Sequence, residues 1–371
     1  MNATRLFAMA RKETIQLRRD WRSLVLAFVL PVILLVLFGY AITWDVNRIP
    51  MAVLDRDGTQ ASRELVSAFV ASRYFTLEKR ITREREADAL LISGKTLVVL
   101  VIPRGFATDL ASGRPAPVQV LVDGSDANTA SIAMGYTQAI AQRYATRILL
   151  ETREIQLPLT AASRVWYNEE LSSRNMIVPG LVAVIMMIIA AMLTSLTIAG
   201  EWERGTMEQL VATPVTRTEV VVGKLLPYLV IGMVDVAVST VLGVALFGVP
   251  FRGSPLLLGL LSLAFLTGAL GLGLFISAVA RNQLLATQIA MVGTFLPAFL
   301  LSGFMFAISV MPKPLQAVTL LVPARYFLVV TRGIFLKGVG VHVLYVQGLL
   351  MIAFAVLGLT LATRVFRKEI L

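Results

Sequence analysis

Residues that commonly do chemistry are scarce in this 371-residue chain. It has no cysteine and one histidine, His342, which excludes disulfides, thiolate metal sites, cysteine nucleophiles, histidine clusters and a Ser-His-Asp triad. Ser93-Gly94-Lys95-Thr96 ends like a phosphate-binding loop, but Ala89 stands where that loop needs its first glycine. The segment Gly94-Lys95-Thr96 also precedes a predicted strand, whereas a phosphate-binding loop follows one. We therefore expect no catalytic residue, no metal and no cofactor on this chain.

A charged block between two long apolar segments holds the most distinctive polar residues. Glu201 to Leu210 reads Glu-Trp-Glu-Arg-Gly-Thr-Met-Glu-Gln-Leu, and Pro214 ends its helix-forming run. In the segment 200–219, four acidic residues outnumber two arginines, which departs from the positive-inside rule. The departure favours a protein partner over lipid headgroups. An ordinary solvated loop is the alternative.

The residues around this block also carry local helix signals. Thr216-Arg217-Thr218-Glu219 fits a capping box, in which the Thr216 hydroxyl accepts from a helix amide and Glu219 reaches back to the Thr216 amide. Gly205 lets a partner backbone or side chain approach closely. The block is therefore predicted to be a short rigid element joined directly to two apolar helices.

The composition is that of an integral membrane protein. Hydrophobic residues make up 57% of the chain and charged residues 15%, whereas soluble chains average about 45–50% and about 25%. The apolar residues form uninterrupted runs, and about 20 residues cross the roughly 30 Å hydrocarbon core. Much of the net charge of +11 lies beside these runs, so we expect contact with the lipid bilayer and no nucleic-acid binding.

Six apolar runs predict six transmembrane helices. They are preceded by a basic amphipathic segment, 1–22, which is predicted to be an elbow helix on the cytoplasmic leaflet; a signal peptide is the alternative. The basic tail 364–371 is predicted to be cytoplasmic, as is the amino terminus. The predicted spans are 23–42, 176–199, 220–249, 256–279, 284–304 and 343–363.

Two further segments lie outside the predicted spans. In 43–175, short β-rich runs alternate with amphipathic helical stretches, which predicts a compact extracytoplasmic α/β domain between spans one and two. The segment 305–342 is apolar but interrupted by Pro312, Pro314 and Pro323, which predicts an extracytoplasmic re-entrant hairpin. The predicted fold class is an α-helical membrane protein with six spans and an inserted α/β domain.

Four residues within the spans are candidates for a pathway or an interface. Asp235 lies about ten residues into the third span, where carboxylates usually face a cavity or a partner. The alternative is a carboxyl that is protonated or bonded to a neighbouring serine or threonine. Gln288 raises the same question. Phe295 and Phe299 could line a hydrophobic pathway, with packing against the core or lipid as the alternative.

Three stretches of the sequence resemble ABC-2 type transporter permeases of the multidrug-efflux branch. The first comprises Glu203–Leu210, Thr213-Pro214, Glu219, Gly223-Lys224 and Pro227-Tyr228. The second comprises Tyr167-Asn168, Ser173–Asn175 and Val178–Leu181. The third comprises Pro323–Phe327 and Arg332–Gly338. The sequence departs from the pattern at Glu169, where a proline is expected.

The resemblance implies the permease subunit of an ABC exporter in a bacterial plasma (inner) membrane. Its cargo would be hydrophobic or amphipathic compounds, drugs among them, and a separate cytosolic ATPase subunit would hold ATP and Mg. The residues matching the coupling helix that docks on this ATPase are Glu201, Glu203, Arg204, Gly205, Thr206, Glu208 and Pro214. Those matching the outside hairpin are Pro323, Arg325, Tyr326, Arg332 and Gly333.

The resemblance also implies a second permease, either another copy or a paralogue, and an extracytoplasmic adaptor is a further candidate partner. Three alternatives come from other functional classes. A receptor with an outside sensor domain would need a cytosolic signalling module. An ion-coupled secondary transporter would be expected to carry several intramembrane charges and an inverted repeat. A membrane enzyme would need paired catalytic residues.

Overall fold

The chain forms two compact units in a computed structural model that describes residues 2–42, 48–153, 167–168 and 172–366. One unit comprises Met1–Thr43 and Arg164–Leu371, and the other comprises Trp44–Ser163. Glu169, the end of the predicted tail 364–371 and the predicted boundary at residue 43 lie outside the described residues.

The first unit begins with two helices, α1 (Ala3–Arg19) and α2 (Trp21–Ala41). The Asn2 side chain caps α1 by accepting from the Thr4 amide at 3.0 Å. α1 is amphipathic and buries Met9, Glu13 and Leu17, which are spaced four residues apart on one face. α2 is apolar, continues through Pro31, and contains the candidate membrane span Ser23–Ala41.

The second unit is a four-stranded sheet with helices. Its strands are β1 (Ile49–Asp55), β2 (Phe75–Ile81), β3 (Val98–Ile102) and β4 (Gln119–Val122), in the order β2-β1-β3-β4. β1 pairs in parallel with β2 and β3, and β4 pairs antiparallel with β3. Its helices are α3 (Gln60–Ala71), α4 (Glu84–Ile92), α5 (Phe106–Ala111) and α6 (Ala127–Arg153). β3 is buried along its whole length, as expected of a central strand covered on both faces.

The carboxylate of Asp57 joins the loops that follow β1 and β3. It accepts from the Thr59 hydroxyl at 2.6 Å, the Gly105 amide at 2.9 Å and the Ala107 amide at 3.2 Å. The Thr59 hydroxyl, followed by these amides, lowers the pKa of Asp57. These bonds hold together two loops at the carboxyl edge of the sheet.

The rest of the first unit is helical. Its helices are α7 (Ser173–Glu203), α8 (Met207–Val211), α9 (Arg217–Ala245), α10 (Pro255–Ala280), α11 (Gln283–Ala290), α12 (Lys313–Thr319), α13 (Pro323–Arg332) and α14 (Val341–Val365). α11 continues through two π-helical turns to Leu301. Six helices in the described residues are long and apolar enough to cross a membrane. This count and the sheet between the first two spans confirm the predicted fold class.

The predicted outside hairpin is a bent pair of helices. The segment Lys313–Thr319 meets Pro323–Lys337 at 78°, a geometry that fits either a broken span or a re-entrant loop. The re-entrant topology of 305–342 therefore stays a prediction. Proline has no backbone N–H to donate to a hydrogen bond, and the first turn of a helix needs none. Pro323 at the start of α13 is therefore suited to the bend.

Glycines allow α10 to pack closely on two neighbouring helices. A methyl group at Gly271 would lie 2.8 Å from the carbonyl carbon of Gly358 in α14. At Gly273, it would lie 2.2 Å from the Thr194 hydroxyl and 2.3 Å from the Ala191 carbonyl of α7. Such close approach of backbones is a common means of packing helices in lipid.

We expect Gly273→Ala to destabilise the helical unit, because backbone atoms of α7 cannot move aside as a flexible side chain could. Overpacking of this kind costs about 1–3 kcal/mol. Gly293→Ala is the matched control, since a methyl group there meets nothing within 4 Å, and it should be neutral or slightly stabilising. Thermal unfolding in detergent measures both. Equal melting temperatures for the two variants would contradict the packing described.

Candidate functional site

The charged block is divided between two helices and the turn that joins them. α7 does not end at the predicted residue 199 but continues to Glu203, because nothing in its sequence breaks the helix before Gly205. Gly205 has φ +69°, a conformation that favours glycine over residues with a Cβ atom. The turn at 204–206 then leads into α8, which has only five residues.

α8 is amphipathic despite its length. Met207 and Leu210 are buried, whereas Glu208 and Gln209 are exposed. The exposed face thus carries a carboxylate directly after the turn at Gly205. No side chain caps α8 at its amino end, so we attribute its position to packing and to the flanking helices.

The segment after α8 begins α9 as predicted. The Glu219 carboxylate accepts from the Thr216 amide at 2.9 Å, and the Thr216 hydroxyl accepts from the Glu219 amide at 3.4 Å, which confirms the capping box. The carboxylate also accepts from the Asn2 amide at 2.6 Å, and the exposed Pro214 offers its carbonyl to Arg5 at 2.6 Å. The start of α1 is therefore bonded to the segment between α8 and α9.

Four charged side chains meet where α1, α7 and α9 come together, three of them buried and the fourth, Lys12, 44% exposed at the edge. The ammonium of Lys224 lies 3.0 Å from Glu13 Oε2 and 3.1 Å from Glu201 Oε1. Lys12 also pairs with Glu201, and the Tyr228 hydroxyl donates to Glu13 at 3.3 Å. We refer to Lys12, Glu13, Glu201 and Lys224 as the buried charge cluster. Two lysines balance two carboxylates, so the cluster is neutral overall.

Close packing of α1 on α9 brings these charges together. A methyl group at Gly223 would lie 2.6 Å from Cβ of Met9, so glycine is what lets the two helices approach. Glu13 is not among the residues predicted from the sequence, and Lys224 is there only as part of the first resembling stretch. A signal was present, since Glu13 is the one acidic residue in an otherwise basic helix and shares a face with Met9 and Leu17.

Glu201 is buried, whereas a residue that docks on a partner is expected to be exposed. Its carboxylate is 1% exposed and faces Lys224 and Lys12. This position favours a role inside the protein over direct contact with a partner. Arg204, Gly205 and Glu208 are exposed and Thr206 is half-buried, so these remain predicted contact residues.

Trp202 and Glu203 connect α7 to the turn between α10 and α11. The Glu203 carboxylate accepts from the backbone amide of Gln283 at 2.9 Å and from its side-chain amide at 2.6 Å. The Arg281 guanidinium lies 4.9 Å from the centre of the Trp202 ring. Glu203 therefore caps α11, and its carboxylate suits the positive end of that helix.

The two polar candidates within the spans, Asp235 and Gln288, differ in how exposed they are. Asp235 in α9 is 3% exposed, and its Oδ2 atom has no hydrogen-bond partner among the described residues. Gln288 in α11 is exposed on the surface of the helical unit. The structure does not bring these two residues into one site.

The two phenylalanine candidates share an apolar groove formed with α2 and α7. Phe295 and Phe299 line this groove of about 220 Å³ together with Phe38, Leu181 and Ile185, among other apolar residues. The Phe299 ring centre lies 5.4 Å from that of Phe295 and 6.4 Å from that of Phe38. Two π-helical turns carry the pair, and such turns are frequent at functional sites.

The hairpin candidates hold the bent pair together and join it to α7. The Arg325 guanidinium donates to the Thr319 hydroxyl, and the Tyr326 hydroxyl donates to the Leu320 carbonyl at 2.7 Å. Arg332 donates to the Met176 carbonyl at 3.2 Å. Gly333 is buried, and a methyl group there would lie 2.9 Å from Val339.

Comparison with known proteins decides the family. The family described as ABC-2 family transporter protein matches residues 21–364, nearly the whole chain. The chain belongs to the ABC-2 transporter family. This confirms the family identified from the three sequence stretches. Family membership leaves the receptor, secondary-transporter and enzyme alternatives without support.

Several curated ABC-2 relatives match over most of their own length. The chain is 40% identical to the probable multidrug ABC transporter permease YbhS of Escherichia coli K12 over 360 residues, covering 96% of this chain and 95% of that protein. It is 31% identical to the probable multidrug ABC transporter permease YbhR of the same strain over 345 residues, 92% of each chain. It is 23% identical to the linearmycin resistance permease protein LnrN of Bacillus subtilis over 338 residues, 82% and 84% of the two chains. Together with six candidate spans, these bacterial relatives indicate a multi-pass inner-membrane permease.

We expect Lys224→Met to be strongly destabilising in this ABC-2 protein, because it leaves two buried carboxylates facing one lysine. Removing one partner of a buried ion pair costs about 3–5 kcal/mol. Adding Glu13→Gln should recover much of the loss by restoring neutrality. Melting temperatures in detergent measure the single and double variants, with the exposed Lys313→Met as control. A double variant that is no more stable than Lys224→Met would contradict charge balance as the cause.

Proposed function

We propose that this chain is the permease subunit of an ABC exporter, driven by a separate cytosolic ATPase subunit that holds ATP and Mg. The main observation behind this proposal is the position of α8 in the chain. This five-residue helix lies between α7 and α9, two candidate spans, and exposes Glu208 beside the turn at Gly205. A partner that moves α8 would move the ends of both spans.

Contacts around α8 support its assignment as a coupling helix. At one side, the buried charge cluster joins the end of α7 to α1 and α9. At the other, Glu203 caps α11, the helix that continues to the phenylalanine-lined groove. Nucleotide binding to the ATPase would then shift the spans between inward-open and outward-open states through differential affinity for the two.

The apolar groove supports export of a hydrophobic or amphipathic cargo out of the cytoplasm or the inner membrane. It is lined by aliphatic and aromatic side chains from three candidate spans. Such a surface binds apolar compounds by removing their apolar area from water. This requires neither an exact shape nor specific hydrogen bonds. Two relatives are named for probable multidrug transport and for linearmycin resistance, which agrees with a cargo of this kind. Drugs are accordingly among the proposed cargoes.

We further propose that two permeases pair, as two copies or with a paralogue, and that both termini face the cytoplasm. α2 and the segment from Gln283 to Leu301 expose much of their apolar surface, with 22% of each span window buried. These are also two of the segments that line the groove. A second permease on this side would close the groove from lipid. An extracytoplasmic adaptor is a candidate partner of the α/β unit.

We expect Glu208→Lys to weaken binding of the ATPase about tenfold, or about 1.4 kcal/mol, because it reverses the charge of the exposed face of α8. Copurification of the ATPase from the native cell and ATP hydrolysis by the complex measure this. Glu78→Lys in β2 is the matched control, since Glu78 is exposed and lies in the other unit. An unchanged complex with Glu208→Lys would contradict the assignment of α8.

We expect Phe299→Ala and Phe295→Ala each to lower export of a hydrophobic dye about tenfold while leaving the ATPase bound, because each removes aromatic surface from the groove. Dye efflux from loaded cells or vesicles is the measurement. Phe306→Ala is the control, since that side chain is 54% exposed and does not line the groove. Equal efflux by all three variants would place the pathway elsewhere.

A further inference from the structure

A second cavity, distinct from the apolar groove, lies between the end of α1 and the turn after α7. Its volume is about 530 Å³, and its lining residues are Lys12, Ile15, Gln16, Arg19, Asp20 and Arg204. Three of these six side chains are cationic and one is anionic. The cavity is therefore a basic recess with a small apolar wall.

The positive charge of this recess is only partly neutralised by the protein. Asp20 accepts from the backbone amide of Ser23 at 3.3 Å and from its hydroxyl at 2.7 Å. Lys12 pairs with the buried Glu201. Arg19 and Arg204 are both exposed, and together they leave the recess with an excess of positive charge.

Arg204 is held in place within the recess. Its Nε donates to the Gly200 carbonyl at 2.9 Å. The Gln16 amide, with its oxygen turned to the guanidinium, accepts at 3.0 and 3.3 Å. A fixed guanidinium with remaining donor capacity is well suited to an oxyanion, because it loses little entropy on binding.

The depth of the recess relative to the spans points to lipid. Arg19 is separated from the candidate span starting at Ser23 by about one helical turn. Arg204 lies about one turn beyond Gly200, where the hydropathy of the second span falls. Both arginines therefore lie at the level where a hydrocarbon core gives way to headgroups. Trp21 is 67% exposed and Ile15 is 43% exposed beside them, as is typical of a membrane interface.

We propose that this recess binds the phosphate headgroup of an anionic phospholipid, with Arg19 and Arg204 as its main ligands. The lipid phosphate accepts from both guanidiniums, and its acyl chains extend along Ile15 and Trp21 toward α2. The bound lipid joins α1 to the turn that leads into α8. Lipid composition then influences the position of α8 through Arg204, and also through Lys12, which the recess shares with the buried charge cluster.

Binding of single lipids to the full-length protein in a neutral detergent tests the proposal. Native mass spectrometry would give the affinity for phosphatidylglycerol, with phosphatidylcholine as the neutral comparison and inorganic phosphate as the lipid-free source of the same chemistry. Arg19→Gln and Arg204→Gln should each weaken phosphatidylglycerol binding about fivefold. Arg18→Gln is the matched control, because Arg18 is exposed on the same helix but does not line the recess.

We expect the protein to bind phosphatidylglycerol in preference to phosphatidylcholine. The affinity of Arg18→Gln for phosphatidylglycerol should stay within about twofold of that of the original protein. Arg19→Lys should recover part of the affinity that Arg19→Gln loses. Inorganic phosphate bound as tightly as phosphatidylglycerol would overturn the lipid assignment. So would equal losses from Arg18→Gln and Arg19→Gln. Unchanged lipid binding by Arg19→Gln, together with loss of the ATPase from the complex, would assign the recess to the ATPase instead.

Discussion

The position of the first helix depends on a charge balance in a nearly water-free place. Lys224 is 1% exposed, and it can stay charged there because Glu13 and Glu201 lie within 3.1 Å. Each carboxylate belongs to a different helix, so the lysine of α9 is satisfied only when α1 and the end of α7 are both in place. An ion pair of this kind adds little net stability over apolar packing, but it strongly penalises any arrangement that separates its members. It therefore specifies how α1 packs against α7 and α9.

The end of α7 connects this cluster to the rest of the helical unit. Three consecutive residues have three different neighbours: Glu201 faces α1 and α9, Trp202 lies under Arg281, and Glu203 caps α11. α11 in turn leads into the π-helical turns that carry the phenylalanines of the groove. Contacts of named atoms thus join the end of α7, which leads into α8, to the helix that continues to the proposed pathway. Each of these contacts is a charge-assisted hydrogen bond, an ion pair or a ring contact, and so depends on geometry over distances of a few ångströms.

Much of the fold follows from the sequence because its cause is local. Six long apolar runs must each form a helix that satisfies its own backbone in lipid, and the capping box at Thr216 needs only four neighbouring residues. The boundary of the second span was harder to predict, since hydropathy falls at Gly200 while the helix continues to Glu203. Hydropathy shows where lipid ends, whereas the helix ends where the backbone must change conformation, at Gly205.

The sequence by itself determined the family, the number of spans, the inserted α/β unit and the charged block that joins two spans. Those features depend on residue type and spacing along the chain. Only the tertiary structure decided that Glu201 faces inward, that Glu13 is its companion in the cluster, and that Arg19 and Arg204 share a recess. The reason is physical: a carboxylate has the same composition and helix propensity whether it meets water, a partner or a buried lysine. Its surroundings come from residues about 190 to 210 positions away in the chain, brought close by helix packing.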